Sequence, residues 1–108
     1  MGFWEDNKWK TAFLTGRYSW QKHVLIRLAE RGIAQEEALN VLLNGECIEE
    51  YPSDYPYPCG LFLGWRKNGH PLHVVASFDG AQAWVFIITA YEPDFLHFES
   101  EFRKRRKK

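Results

Sequence analysis

His73, Thr89 and Tyr91 are the residues of this sequence best placed to do chemistry, because they are polar members of two segments otherwise built for burial. In 72–79 the even positions Leu72, Val74, Ala76 and Phe78 are apolar, while the odd ones include His73, Ser77 and Asp79. In 84–91 the even set Trp84, Phe86, Ile88 and Ala90 is again apolar, with Thr89 and Tyr91 among the odd. Side chains alternate across a strand with period two. If the even sets face a core, His73, Thr89 and Tyr91 share the opposite, open face. His73 then has two readings, a strand histidine whose ring is satisfied locally or a working imidazole. His23 precedes Arg27 by one helical turn, so both project from one helix face. Here too a plainer reading stands: His23 can hydrogen-bond a carbonyl at the sheet edge, and Arg27 and Arg31 can be solvated charges balanced by Glu30.

Other constellations are weaker. His70-Pro71-Leu72-His73 suggests a metal, but residues three apart on an extended chain point to opposite faces, and no cysteine or carboxylate is placed to complete a site. Glu46, Glu49, Glu50 and Asp54 could supply paired catalytic carboxylates or hold Mg²⁺, yet alternation spreads the first three over both faces, as expected of a solvated edge strand. Cys47 and Cys59 read as two half-buried thiols in a reducing compartment. No Gly-rich phosphate loop and no Gly-x-Ser-x-Gly elbow is present, so nucleotide hydrolysis and serine-esterase chemistry have no support, and no cofactor or metal is expected. The run Tyr51-Pro52-Ser53-Asp54-Tyr55-Pro56-Tyr57-Pro58 is either a rigid aromatic recognition loop or a lid packed over a sheet.

These groups need elements to hold them. Residues 4–15 place Trp9, Ala12 and Phe13 at helical spacing ahead of Gly16. Ser19 would cap a second helix in which Trp20, Val24 and Leu28 recur every fourth residue, Leu25 widens the stripe and Gly32 stops it. A third helix begins near Gln35-Glu36-Glu37, buries Ala38, Leu39, Leu42 and Leu43, and ends at Asn44-Gly45. From Glu46 the period changes to that of strands: 46–51, 61–66, 72–79 and 84–91. Asn68-Gly69 and Asp79-Gly80 supply hairpin turns. The expected fold is α+β, with the N-terminal helices packed on one face of a four-stranded antiparallel meander.

The chain has 108 residues, 45% apolar and 17% aromatic, which suits one packed domain over residues 1–102 and excludes intrinsic disorder. No apolar run approaches the roughly 18 residues of a membrane span, and the first residues lack the order of a secretory signal, so a soluble cytoplasmic protein with no membrane partner is expected. The formal net charge is zero. It is unevenly placed: Arg103 to Lys108 form a basic tail, and the remainder carries eight basic against fourteen acidic side chains. The tail is either a solvated end or an arm for phosphates or an acidic partner.

Four pieces, His23-Val24-Leu25-Ile26-Arg27-Leu28-Ala29-Glu30-Arg31-Gly32-Ile33, Glu46 to Pro52, Pro71-Leu72-His73-Val74-Val75 and Ile88-Thr89-Ala90-Tyr91-Glu92-Pro93-Asp94, occur in an order and spacing that resembles the bacterial family called domain of unknown function 4258. The resemblance runs from residue 17 to about residue 98. That family looks like a member of the RelE-like and barnase-like ribonuclease toxin folds, whose members are often paired with a small zinc-ribbon antitoxin. It departs from the family at Ala34, where a polar cap is usual, and in the wider spacing of Ser19 from His23. The resemblance implies a metal-independent RNA endonuclease acting through the 2′-hydroxyl of its substrate, with RNA and an antitoxin as partners. His23 or His73 would serve as base and acid, since imidazole titrates near 6.5. Arg27 would grip a phosphate, and Thr89 and Tyr91 would donate hydrogen bonds or stack a base. The alternative is a catalytically inert protein-interaction module that uses the open sheet face and the Tyr-Pro loop.

Overall fold

The computed structural model describes Trp4 and residues 6–94. The basic tail at 103–108 lies outside the described residues. Three helices and five strands follow in the order α1 (Lys8–Leu14), β1 (Tyr18–Trp20), α2 (Val24–Arg31), α3 (Gln35–Asn44), β2 (Glu46–Tyr51), β3 (Cys59–Trp65), β4 (Pro71–Asp79) and β5 (Trp84–Tyr91). The strands form one sheet in the order β1-β5-β4-β3-β2, in which β1 runs parallel to β5 and the other pairs are antiparallel. The α+β class holds, but the sheet is five-stranded and mixed, where a four-stranded antiparallel meander was expected. No helix among the described residues is long and apolar enough to cross a membrane.

The added strand is the segment expected to open the second helix. Tyr18-Ser19-Trp20 alternates, and its neighbours complete the pairing, with Gln21 N–H donating to the Ile87 carbonyl at 2.9 Å and Val85 N–H to Arg17 at 3.0 Å. Tyr18 and Trp20 pack against the core, while Ser19 Oγ accepts from Trp84 Nε1 at 3.0 Å. Ser19 therefore caps nothing. The helix starts at Val24, and His23 occupies its N-cap position. Only Val24 and Leu28 of α2 are buried; Leu25 is 41% exposed, so the expected widening of the apolar stripe does not occur.

All three helices contribute to a single apolar cluster, with Trp9 and Phe13 from α1, Leu28 from α2 and Leu42 from α3 meeting Val74, Phe78 and Ile87 of the sheet. Gly64 lets α3 settle on β3, since a Cβ there would lie 2.8 Å from Val41 Cγ2. The even residues of β4 face this cluster as alternation required. In β5 the parity is the reverse of the expected one, because Val85 and Ile87 are the buried residues and Trp84 and Phe86 fall on the helix-free face. A bulge then corrects the phase. Ile87 pairs with Ala76 and Thr89 with Val75, leaving Ile88 without a partner. Beyond it Ala90 returns to the core opposite Val74, and Thr89 and Tyr91 stand opposite Val75 and His73. The shared face of His73, Thr89 and Tyr91 thus exists because of an extra residue, which is the usual effect of a bulge on side-chain direction.

The turn after β4 also departs from expectation. Asp79 Oδ1 accepts from the backbone N–H groups of Ala81 and Gln82, and the positive φ of +53° falls on Ala83 instead of Gly80. The Tyr-Pro loop is a packed element at Tyr57, whose ring stacks on Phe86 at 5.6 Å and 8°. The Tyr57 hydroxyl is hydrogen-bonded to the Asp79 carboxylate, which raises the phenol above its ordinary pKa.

Candidate functional site

His23, Arg27 and Thr89 line one open cleft of about 380 Å³, together with Gln21, Lys22 and Ile88. The fold brings them together in two ways. β1 ends at Trp20, so the outer edge of β5 beyond Ile87 has no strand beside it, and α2 lies there instead. The bulge at Ile88 then sets Thr89 and its hydroxyl at this edge, next to the first turn of the helix. Arg31, one turn beyond Arg27, closes the exposed strand edge by donating from Nη1 to the Ala90 carbonyl at 2.7 Å and to Thr89 Oγ1 at 3.5 Å.

A second cleft of about 650 Å³ is lined by Arg31, Arg66, Asn68, His70, Tyr91 and Glu92. Arg66 is its anchor. The guanidinium pairs with Glu37 through Nε and Nη2, both at 3.1 Å, with Glu92 through Nη1 at 2.6 Å and with the Gly32 carbonyl through Nη2 at 2.7 Å. One side chain therefore ties the α2–α3 turn and the end of β5 to β3, as planar bidentate geometry allows. Hydrogen bonding from Arg66 holds the Glu37 and Glu92 carboxyls below the usual carboxylate range, against the opposing effect of burial. The same bonds raise Arg66. Nδ1 of His70 lies 3.2 and 3.3 Å from the two Glu92 oxygens.

Of the five residues expected to form a site, His23, Arg27 and Thr89 share the first cleft, and Tyr91 lines the second. His73 joins neither. It is fully buried on the helix-free face, between Leu63 and Tyr91 in register, with its ring edge-on to Tyr91 at 5.5 Å. A polar residue in a strand otherwise built for burial is here an interior histidine, and the convergence of both imidazoles on one solvent-filled pocket does not occur. Arg31, Arg66, His70 and Glu92 were not anticipated as site residues. The spacing of Arg31 from Arg27 did carry a signal, continuing the His23–Arg27 stripe by one turn. Arg66, His70 and Glu92 are brought together only by the sheet.

A family model described as Domain of unknown function (DUF4258) matches residues 20–92. The chain belongs to the DUF4258 family. No curated protein and no solved structure matches it. The DUF4258 match spans α2, the bulge of β5 and every residue named in the two clefts. Charge in this DUF4258 domain is segregated across the sheet. Four of the eight basic residues outside the tail, Lys22, Arg27, Arg31 and Arg66, line the two clefts, where Glu92 is the sole carboxylate among the lining residues. Glu46, Glu49 and Glu50 sit on β2, at the opposite edge of the sheet. Arg66 is neutralised by Glu37 and Glu92, whereas Lys22 and Arg27 give the first cleft a local positive charge in spite of the zero net charge.

The first cleft can act on a phosphodiester in three ways. His23 is exposed and brings an imidazole, a group able to accept and donate a proton. Arg27 and Lys22 supply positive charge for a phosphate, and Thr89 supplies a hydroxyl. The thiols offer no competing chemistry: burial pushes Cys47 up to about 12 and Cys59 up to about 11.

Proposed function

We propose that this DUF4258 chain is a metal-independent RNA endonuclease whose reaction takes place between the N-terminus of α2 and the bulge of β5. The resemblance to RelE-like and barnase-like toxins, and with it pairing with an antitoxin, forms part of the same proposal. One observation carries it: an imidazole and a guanidinium from the start of α2 and a hydroxyl from the distant β5 line one solvent-open cleft whose lining includes Lys22 and no carboxylate.

In the reaction His23 accepts the proton of the ribose 2′-hydroxyl as the 2′-oxygen attacks the adjacent phosphorus. The bond from phosphorus to the 5′-oxygen breaks, and that oxygen takes up the proton held by the imidazolium. Protons balance, and one imidazole serves both steps in turn. Arg27 neutralises charge building on the phosphate oxygens, and Thr89 donates a hydrogen bond to one of them. DNA lacks the 2′-hydroxyl and is not a substrate. Purified protein incubated with RNA in excess EDTA tests this. Fragments ending in 2′,3′-cyclic phosphate and 5′-hydroxyl are expected, and loss of cleavage on chelation, or 5′-phosphate ends, would refute the mechanism.

A second reading, an inert protein-interaction module, draws support from Leu25 and Ile26, apolar residues of α2 that are 41% and 58% exposed beside the cleft. A wild-type protein that leaves RNA intact yet binds a partner through Leu25 and Ile26 would favour it.

A further inference from the structure

We infer that the second cleft is a base-reading subsite, one nucleotide away from the bond cleaved in the first, and that its occupant is a nucleobase carrying an amino group. This rests on the RNA-cleaving reading above and goes further by naming what the adjoining nucleotide must be.

Arg27 lines the first cleft and Arg31, one helical turn further along α2, lines the second. On α2, Arg27 and Arg31 are four residues apart, about 6 Å along the axis, which is comparable with the step between neighbouring phosphates of an extended strand. Arg31 commits Nη1 to Ala90 and Thr89, and its other guanidinium nitrogens have no acceptor among the described residues. They are available to a phosphate between the two clefts. A strand whose scissile phosphate sits at Arg27 and whose next phosphate sits at Arg31 delivers its following base to Tyr91, Glu92, Asn68 and His70.

The chemistry of that cleft differs from the first. Tyr91 brings an aromatic ring, held edge-on to the buried His73, and unstacked RNA bases are commonly received on such rings. Glu92 brings the only carboxylate. Its side chain is 36% exposed, and Arg66 and His70 fix its orientation while holding it ionised. An ionised carboxylate only accepts hydrogen bonds. Placed at the Watson–Crick edge of a single-stranded base, it accepts from the amino group of cytosine, adenine or guanine, and meets only the carbonyl oxygens and single ring N–H of uracil. A further phosphate would be repelled by Glu92, so the cleft suits a base better than a second anion.

Binding of hexanucleotides made wholly of 2′-O-methyl C, A or U, which cannot be cleaved through the 2′-position, tests this by fluorescence anisotropy at fixed salt. The C and A oligomers are expected to bind about tenfold more tightly than U, and Glu92→Gln, which keeps the side-chain size and an acceptor for Arg66, is expected to reduce that ratio to about one. Equal binding of all three by the wild type would overturn the inference without any variant, as would a ratio unchanged in folded Glu92→Gln. Cleavage of ordinary RNA is read separately. An enzyme that cuts RNA but binds C, A and U alike disproves the subsite alone, whereas one that shows the preference and does not cut disproves the nuclease reading alone.

Discussion

Arg66→Ala should unfasten the clefts from the body of the protein. The substitution deletes two contacts to Glu37, one to Glu92 and one to the Gly32 carbonyl. The side chains of Arg66 and Glu37 are 12% and 10% exposed, so Glu37 would lose a charged partner in a largely covered position. Breaking a fully buried pair costs about 3–5 kcal/mol. The loss here is smaller, because Glu37 keeps the backbone N–H groups of Ala34 and Lys67 and Glu92 can turn to water. About 2–3 kcal/mol is expected at pH 7, equivalent to a fall in Tm of about 10–20 °C for a domain of this size. Acid gives a second, independent signature. Both carboxyls have folded-state pKa values below the ordinary 4.5, so the stability they contribute is complete above that pH and is lost as pH falls through the depressed values. The wild type should therefore lose stability faster than Arg66→Ala below about pH 4.5, and the gap between their melting curves should narrow. Thermal unfolding followed by circular dichroism at pH 7 and at pH 3 measures both effects. Coincident melting at pH 7, or a gap that widens in acid, would refute the assignment of Arg66 as the tie between the α2–α3 turn, α3 and the ends of β3 and β5.

Two further predictions concern residues that the fold removes from the chemistry. His73→Ala should lower stability by about 2–4 kcal/mol through the cavity it leaves, yet RNA cleavage per folded molecule should stay within about twofold of the wild type; a loss matching that of His23→Ala at equal folded fraction would return His73 to the site. Cys47 and Cys59, half-buried and buried with thiols raised to about 12 and about 11, should resist iodoacetamide at pH 8 in the native state and react in urea, as intact mass will report; rapid modification of the folded protein would contradict the raised thiols.

The parts of the fold written in local pattern were legible. β2 and β5 begin and end where composition changes, and α3 runs from its acidic first turn to Asn44, because in each case one period dominates a whole segment. Tyr18-Ser19-Trp20 was not legible. Three residues are too few to establish alternation, and a serine ahead of an apolar repeat is a good helix cap in isolation; only the free edge of β5, contributed from 67 residues further on in the pairing of Tyr18 with Val85 and its neighbours, makes the segment a strand. In β5 both the starting parity and the bulge at Ile88 were hidden, and the two compensated, so that Tyr91 and His73 came out on one face. The site divides along the same line. His23 and Arg27 are neighbours on one helix and could be paired by spacing, whereas the cluster of Arg66, Glu37 and Glu92 joins three separate elements and has no expression in local sequence. His73 shows the opposite limit: alternation assigned its face correctly, but depth of burial depends on what covers that face, which a strand pattern does not contain.

The most direct test compares initial rates of RNA cleavage by the wild type and by His23→Ala, with both proteins matched in circular dichroism spectrum and melting temperature. Loss of a positioned general base and acid predicts a fall of about 10²–10⁴-fold, with folding unchanged because His23 is exposed. A wild type that leaves RNA uncut, or a His23→Ala protein that cuts as fast as its parent, would contradict the account.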